Sequence, residues 1–113
     1  MSDCLFCRIV AREIPATVVH ETDTTLAFRD ISPQAPTHVV LVPKVHAPDA
    51  VTLAAAAPTV LDDLFLAAGE VAKSEGVAGS GYRLLFNTGA DAGQTVFHAH
   101  LHVLGGRRLG PLA

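Results

Sequence analysis

The spacing of hydrophobic and polar positions changes character along the chain. Phe6, Ile9 and Val10 recur at helical spacing, which predicts a short helix or turn over Cys4 to Ala11, ended by Ile14-Pro15. Val18 to Glu21 and Thr25 to Arg29 read as two strands joined by a hairpin turn at Thr22-Asp23. Pro33 and Pro36 break regular structure, so Asp30 to Pro36 is a loop. His38 to Val42 is continuously apolar and rich in β-branched residues, which predicts a central strand covered on both faces. Pro58 to Glu75 is the one long helix. Pro58 suits its first turn, Leu61, Leu64, Phe65, Ala68 and Val71 form its apolar stripe, and Gly76 stops it. Tyr82 to Asn87 is a strand, Thr88 to Thr95 a loop, and Val96 to Leu104 a final strand that Gly105-Gly106 ends. The fold class is α+β: about five antiparallel strands, one long helix and one short N-terminal helix, in a single domain spanning residues 1–113.

Composition narrows the function. At 113 residues and 11.8 kDa there is room for one domain. Hydrophobic residues make up 50% and charged residues 17%, against a disordered chain. Mean hydropathy is +0.37, yet the apolar residues are dispersed and no run approaches the roughly 20 needed to cross a membrane. A surplus of apolar surface for a homodimer is the better explanation. Eight basic residues against eleven acidic ones leave a net charge of −3, with no basic stripe for nucleic acid. The start lacks a basic segment followed by an apolar one, and two cysteines three apart without an export signal fit a reducing compartment, the cytoplasm.

The chemistry concentrates at His98, His100 and His102. Alternate residues of a strand share a face, so three imidazoles line one side while Ala99, Leu101 and Val103 pack on the other. A core needs no such row. Two histidines two apart can ligate a catalytic metal, or an imidazole can act as nucleophile on phosphorus near neutral pH. Three evenly spaced rings would strain to share one metal, whereas a phosphate ester and its leaving group could meet all three. The preceding loop, with Asn87, Gly89, Gly93, Gln94 and Thr95, offers neutral donors and glycine backbone for an anion. Cys4-x-x-Cys7 is half a zinc site and needs two further ligands; outside the row of three, the chain offers His20, His38 and His46.

The segment His98-Ala99-His100-Leu101-His102-Val103-Leu104 matches the histidine-triad signature of alternating histidine and apolar residues. With Leu26 to His38, Val42-Pro43-Lys44-Val45-His46 and Ala92 to His98, the chain resembles the nucleoside phosphoramidase branch of the histidine triad (HIT) superfamily over nearly its whole length. The resemblance implies a homodimer that hydrolyses purine nucleoside phosphoramidates through a nucleotidyl-histidine intermediate. It implies His100 as nucleophile, a backbone carbonyl near His98 holding its proton, His102 against the phosphate or leaving group, and His38 as an orienting residue. Thr95, Asn87, Gly93 and Gln94 would hold phosphate, Asp30 the ribose hydroxyls, and Phe6, Ile9, Phe28 and Ile31 the base. It further implies a structural zinc on Cys4, Cys7, His46 and His98, with no cofactor needed for catalysis. Dinucleoside polyphosphate hydrolysis or nucleotidyl transfer, and a nucleotide-binding module with weak catalysis, are the alternatives. The tail after the triad has no Trp, so the leaving-group side departs from the family.

Overall fold

A computed structural model describes residues 3–112. Met1, Ser2 and Ala113, the ends of the expected single-domain span, lie outside the described residues. In chain order the elements are α1 (Leu5–Val10), β1 (Val18–Glu21), β2 (Thr25–Arg29), β3 (Thr37–Pro43), α2 (Ala50–Ala56), α3 (Pro58–Ser74), β4 (Tyr82–Phe86) and β5 (Leu101–Gly105). Among the described residues the strands make one five-stranded antiparallel sheet in the order β1-β2-β3-β5-β4. The α+β architecture expected from the sequence is the one observed.

All of β3 is buried. Its alternation explains why the sequence shows no polar face there. Val39 and Leu41 enter a core built with Leu64, Ala68 and Val71 of α3, while Val40 and Val42 enter a second, thinner core with Phe6 and Ile9 of α1. Each fully buried Val, Leu or Phe side chain contributes ~1.5–3 kcal/mol, so both helices are fastened by the same strand through opposite faces. The sheet thus has a thick side under α2 and α3 and a thin side, under α1, where the histidines stand. Arg29, at the end of β2, lies along the thin side's cavity, but its guanidinium is turned to α3: both its terminal nitrogens donate to the Glu75 carboxylate at the end of that helix, at 2.7 and 2.9 Å.

Three sequence expectations are corrected in detail. The final strand begins at Leu101 rather than Val96. Leu101 pairs with Leu41, so continuing the ladder would set Ala99 opposite Pro43, which has no N–H to offer. The Ala99 N–H donates instead to the Ala47 carbonyl, 2.7 Å away. A second helix, α2, precedes the long one. Its Asp49 side chain caps the Thr52 N–H at 2.8 Å, a start signal followed only by a short alanine-rich stretch with no helical stripe. The loop after β4, which ends at Phe86 rather than Asn87, contains a single 3-10 turn, Ala90–Ala92.

Candidate active site

The thin face of the sheet carries a cavity of about 590 Å³. Phe6 and Ile9 from α1 and Phe28 from β2 form its apolar wall, with Ile31 at its rim, 99% exposed. Asp30, Thr95, His100 and His102 give it polar groups. Eight of the sequence-selected residues therefore line one space. Pro15, Ala16, Thr17, Val40 and Val96 line it too and were not selected. The segment before β1 reaches it because the Thr17 carbonyl accepts from the Arg29 N–H at 3.0 Å, a pairing that leaves no mark on side-chain pattern.

Other selected residues sit elsewhere. Gln94 is buried, and its amide ties the loop together: its oxygen accepts from the Gly89 N–H at 2.8 Å, and its nitrogen donates to the carbonyls of Pro48 and Val96 at 2.7 and 3.0 Å. Its side chain shapes the loop from behind. Gly93 closes the 3-10 turn with φ +93°, a left-handed conformation that favours glycine. Neither these two residues nor Asn87 is among those lining the cavity.

Hydrogen-bond partners assign the proton on each ring nitrogen. His100 Nδ1 lies 2.7 Å from the His98 carbonyl. A carbonyl only accepts, so Nδ1 carries a proton, and in the neutral ring Nε2 is the nitrogen that bears the lone pair. Phe6 holds the ring edge-on, with centroids 4.9 Å apart. On one side of His100, the Gln34 N–H donates to His38 Nδ1 at 3.1 Å. His38 therefore carries its proton on Nε2 and donates it to His102 Nδ1 at 2.9 Å, leaving His102 with a donor at Nε2. Asp30 Oδ2 stands 3.5 Å from His38 Nε2. Burial lowers the pKa of His38 and drives that of His102 down to about 4, where the neighbouring His100 and His38 rings add to the effect. Both rings are neutral at pH 7.

On the other side of His100, His98 is fully buried and leaves the row. Its Nε2 donates to the Pro43 carbonyl at 2.8 Å, so Nδ1 presents a lone pair. That atom faces Cys4 Sγ at 3.4 Å, Cys7 Sγ at 3.5 Å and His46 Nδ1 at 3.1 Å, and Cys7 Sγ lies 3.4 Å from His46 Nδ1. All four ligand atoms lie within 4.8 Å of one another. A tetrahedral zinc with ordinary bond lengths would space two nitrogens by about 3.3 Å and a nitrogen and a sulfur by about 3.6 Å. The set therefore fits zinc in donor type, number and spacing, and the Pro43 carbonyl supplies the outer hydrogen bond that ligating histidines ordinarily have.

Comparison with known proteins agrees with this geometry. The HIT domain family model matches residues 11–109. The chain belongs to the HIT domain family, and its relatives place it among the HIT family hydrolases. It is 44% identical over 110 residues to the purine nucleoside phosphoramidase of Escherichia coli K12, covering 97% of this chain and 92% of that protein. A solved HIT family hydrolase from Clostridium thermocellum matches with a TM-score of 0.94 at 43% identity, over 99% of this chain and 97% of that one. Another from Legionella pneumophila Philadelphia 1 gives 0.91 at 46% identity, over 96% of each. Among the described residues no helix is long and apolar enough to cross a membrane.

Proposed function

We propose that the protein hydrolyses the phosphorus–nitrogen bond of purine nucleoside 5′-phosphoramidates through a covalent intermediate on His100. The observation that carries this reading is the 2.7 Å contact of His100 Nδ1 with the His98 carbonyl, which makes Nε2 the ring atom left to attack at an apolar, nucleoside-sized cavity. In the first step Nε2 of His100 bonds to phosphorus and the phosphorus–nitrogen bond breaks. The departing nitrogen takes one proton from solvent and leaves as the amine. In the second step water adds its hydroxyl to phosphorus, the bond to His100 breaks and the nucleoside monophosphate is released, with the water's other proton going to solvent. The Nε2–H of His102, aimed by His38, stabilises charge on the phosphoryl oxygens, with Thr95 beside it. Asp30 holds the ribose hydroxyls, and Phe6, Ile9, Phe28 and Ile31 hold the base. The 44% identity to a named purine nucleoside phosphoramidase supports the substrate class. Gly93 and Gln94 act on phosphate indirectly, through the shape of the loop that ends at Thr95; Asn87 begins that loop, outside the cavity lining.

Cys4, Cys7, His46 and His98 hold a zinc ion that supplies stability and no chemistry, since protein fills all four positions. The chain forms one domain and works as a homodimer: β4 is an outer strand of the sheet, and Phe65 and Leu66 on α3 are 44% and 71% exposed. The thiol pair suits a reducing compartment, and we place the protein in the cytoplasm.

Release of AMP from adenosine 5′-monophosphoramidate by purified protein, with a chelator in the assay, tests the activity. Turnover is expected to survive the chelator and to vanish in His100→Ala. Loss with chelator in a chain that stays folded would instead place the metal in the reaction.

A further inference from the structure

We infer that the metal tetrad and the nucleotide cavity are thermodynamically coupled through α1 and His98, so that each ligand strengthens the binding of the other. This rests on the nucleotide and zinc readings above.

Helix α1 has six residues, too few to be stable by itself. Cys4 is its N-cap and Cys7 sits one turn later, so both thiols meet the metal position from one end and one side of the helix. Phe6 and Ile9, interleaved with them, line the cavity, and Phe6 packs on both His100 and His98, with centroids 4.9 and 6.0 Å apart. Anchoring the thiols fixes one flank of α1 and so sets where the cavity wall stands. The second route runs through one residue. His98 gives its ring to the tetrad and its backbone carbonyl to His100 Nδ1. A ring fixed at Nδ1 by the tetrad and at Nε2 by Pro43 leaves the His98 peptide little freedom, and that peptide aims the nucleophile. When the tetrad opens, α1 loses an anchor and the His98 backbone loses a restraint, and both changes fall on the nucleotide side.

Coupling of this kind is reciprocal, and ordinary values lie between about 5-fold and 150-fold in affinity. The experiment uses the zinc-loaded chain. Calorimetry first measures AMP binding and zinc content, and a chromogenic chelator then times zinc release with and without saturating AMP. One zinc per chain, release slowed at least about 5-fold by AMP, and AMP affinity weakened by a similar factor in the stripped, folded chain are the expected results. Weakened AMP binding in a folded stripped chain separates this from general stabilisation by a ligand, which leaves that affinity unchanged. Should the stripped chain unfold, the cobalt-substituted protein gives the second readout: AMP is expected to alter its visible ligand-field bands. Unchanged AMP affinity in the stripped, folded chain or, where that chain unfolds, unaltered cobalt bands would overturn the coupling. So would absence of zinc, which also ends the metal reading, or absence of AMP binding by the loaded chain, which ends the nucleotide reading; stoichiometry and calorimetry distinguish the two.

Discussion

Two histidine clusters flank His100, and by distance alone they look alike. The tetrad of Cys4, Cys7, His46 and His98 and the trio of Asp30, His38 and His102 each bring their ligand atoms within 4.8 Å. What separates them is the backbone group behind each ring. A carbonyl, that of Pro43, stands behind His98, so the proton goes outward and the lone pair inward. An N–H, that of Gln34, stands behind His38, so the lone pair goes outward and the proton inward. The first arrangement gathers lone pairs around a point and fits a cation. The second passes a hydrogen bond from Gln34 through His38 to His102. Metal on His38 Nε2 would need the proton on Nδ1, facing the Gln34 N–H donor to donor. One face of one sheet therefore carries a donor set that fits a metal ion beside a proton-bearing relay, and backbone polarity decides which is which.

The largest effect is expected at the residue both clusters serve. His100→Ala should lower AMP release by at least about 10³-fold while leaving zinc content and fold intact, since removing a nucleophile removes the covalent route altogether. Single-turnover release and metal analysis on the same sample check this. Residual turnover within tenfold of the parent would move the nucleophile elsewhere.

The two flanks should then part company. His46→Ala is expected to lower zinc affinity at least about 100-fold, because a three-ligand site loses both a bond and its closed geometry. His38→Phe is expected to keep the zinc and to slow turnover about 10²-fold by releasing the His102 ring from its orientation. Metal content and kcat for the two variants form a crossed pair. Zinc loss in His38→Phe with zinc retained in His46→Ala would reverse the assignment of the clusters.

How much of this was legible in the sequence follows from the same contrast. The strands and α3 could be read because side-chain pattern fixes them: an unbroken apolar run in β3, helical spacing in α3, punctuation by Pro58 and Gly76; of the three histidines read as one row, only His102 stands on β5, and the His98 ring turns to the cysteines. The apolar wall of Phe6, Ile9 and Phe28 and the polar groups of Asp30 and Thr95 were reached through family likeness, and the structure brings them to one cavity. The early end of the β3–β5 ladder depends on Pro43, a single missing N–H that the apolar pattern of the last strand does not reflect. Gln94 looked like a phosphate donor by residue type, while its burial and its three backbone partners depend on where the Pro48 and Gly89 backbones lie. The N–H of Gln34, which fixes the protons of two histidines, has no side-chain signature at all.

The smallest effect concerns pH, and it isolates the relay. His102 is held to about 4 in the folded chain against an ordinary 6.5, chiefly because burial penalises the charged ring. In the unfolded chain it takes a proton near 6.5, so between those values the unfolded state binds more protons than the folded one. Its contribution to stability is therefore complete above about pH 6.5 and declines as pH falls toward 4. Each unit of difference is worth about 1.4 kcal/mol, so on the order of 2 kcal/mol should be lost by pH 5 through this ring. His38 is shifted in the same direction by its own burial and adds to the slope, with Asp30 opposing it. Acid release of the proposed zinc would add to the decline, which is why the comparison must be with His102→Phe rather than with water alone. Urea midpoints at pH 7.5 and pH 5 for parent and variant remove the metal's share by subtraction. The parent is expected to lose more stability than the variant by that amount, whereas parallel losses would mean that the ring already accepts a proton in the folded chain and that the relay is charged.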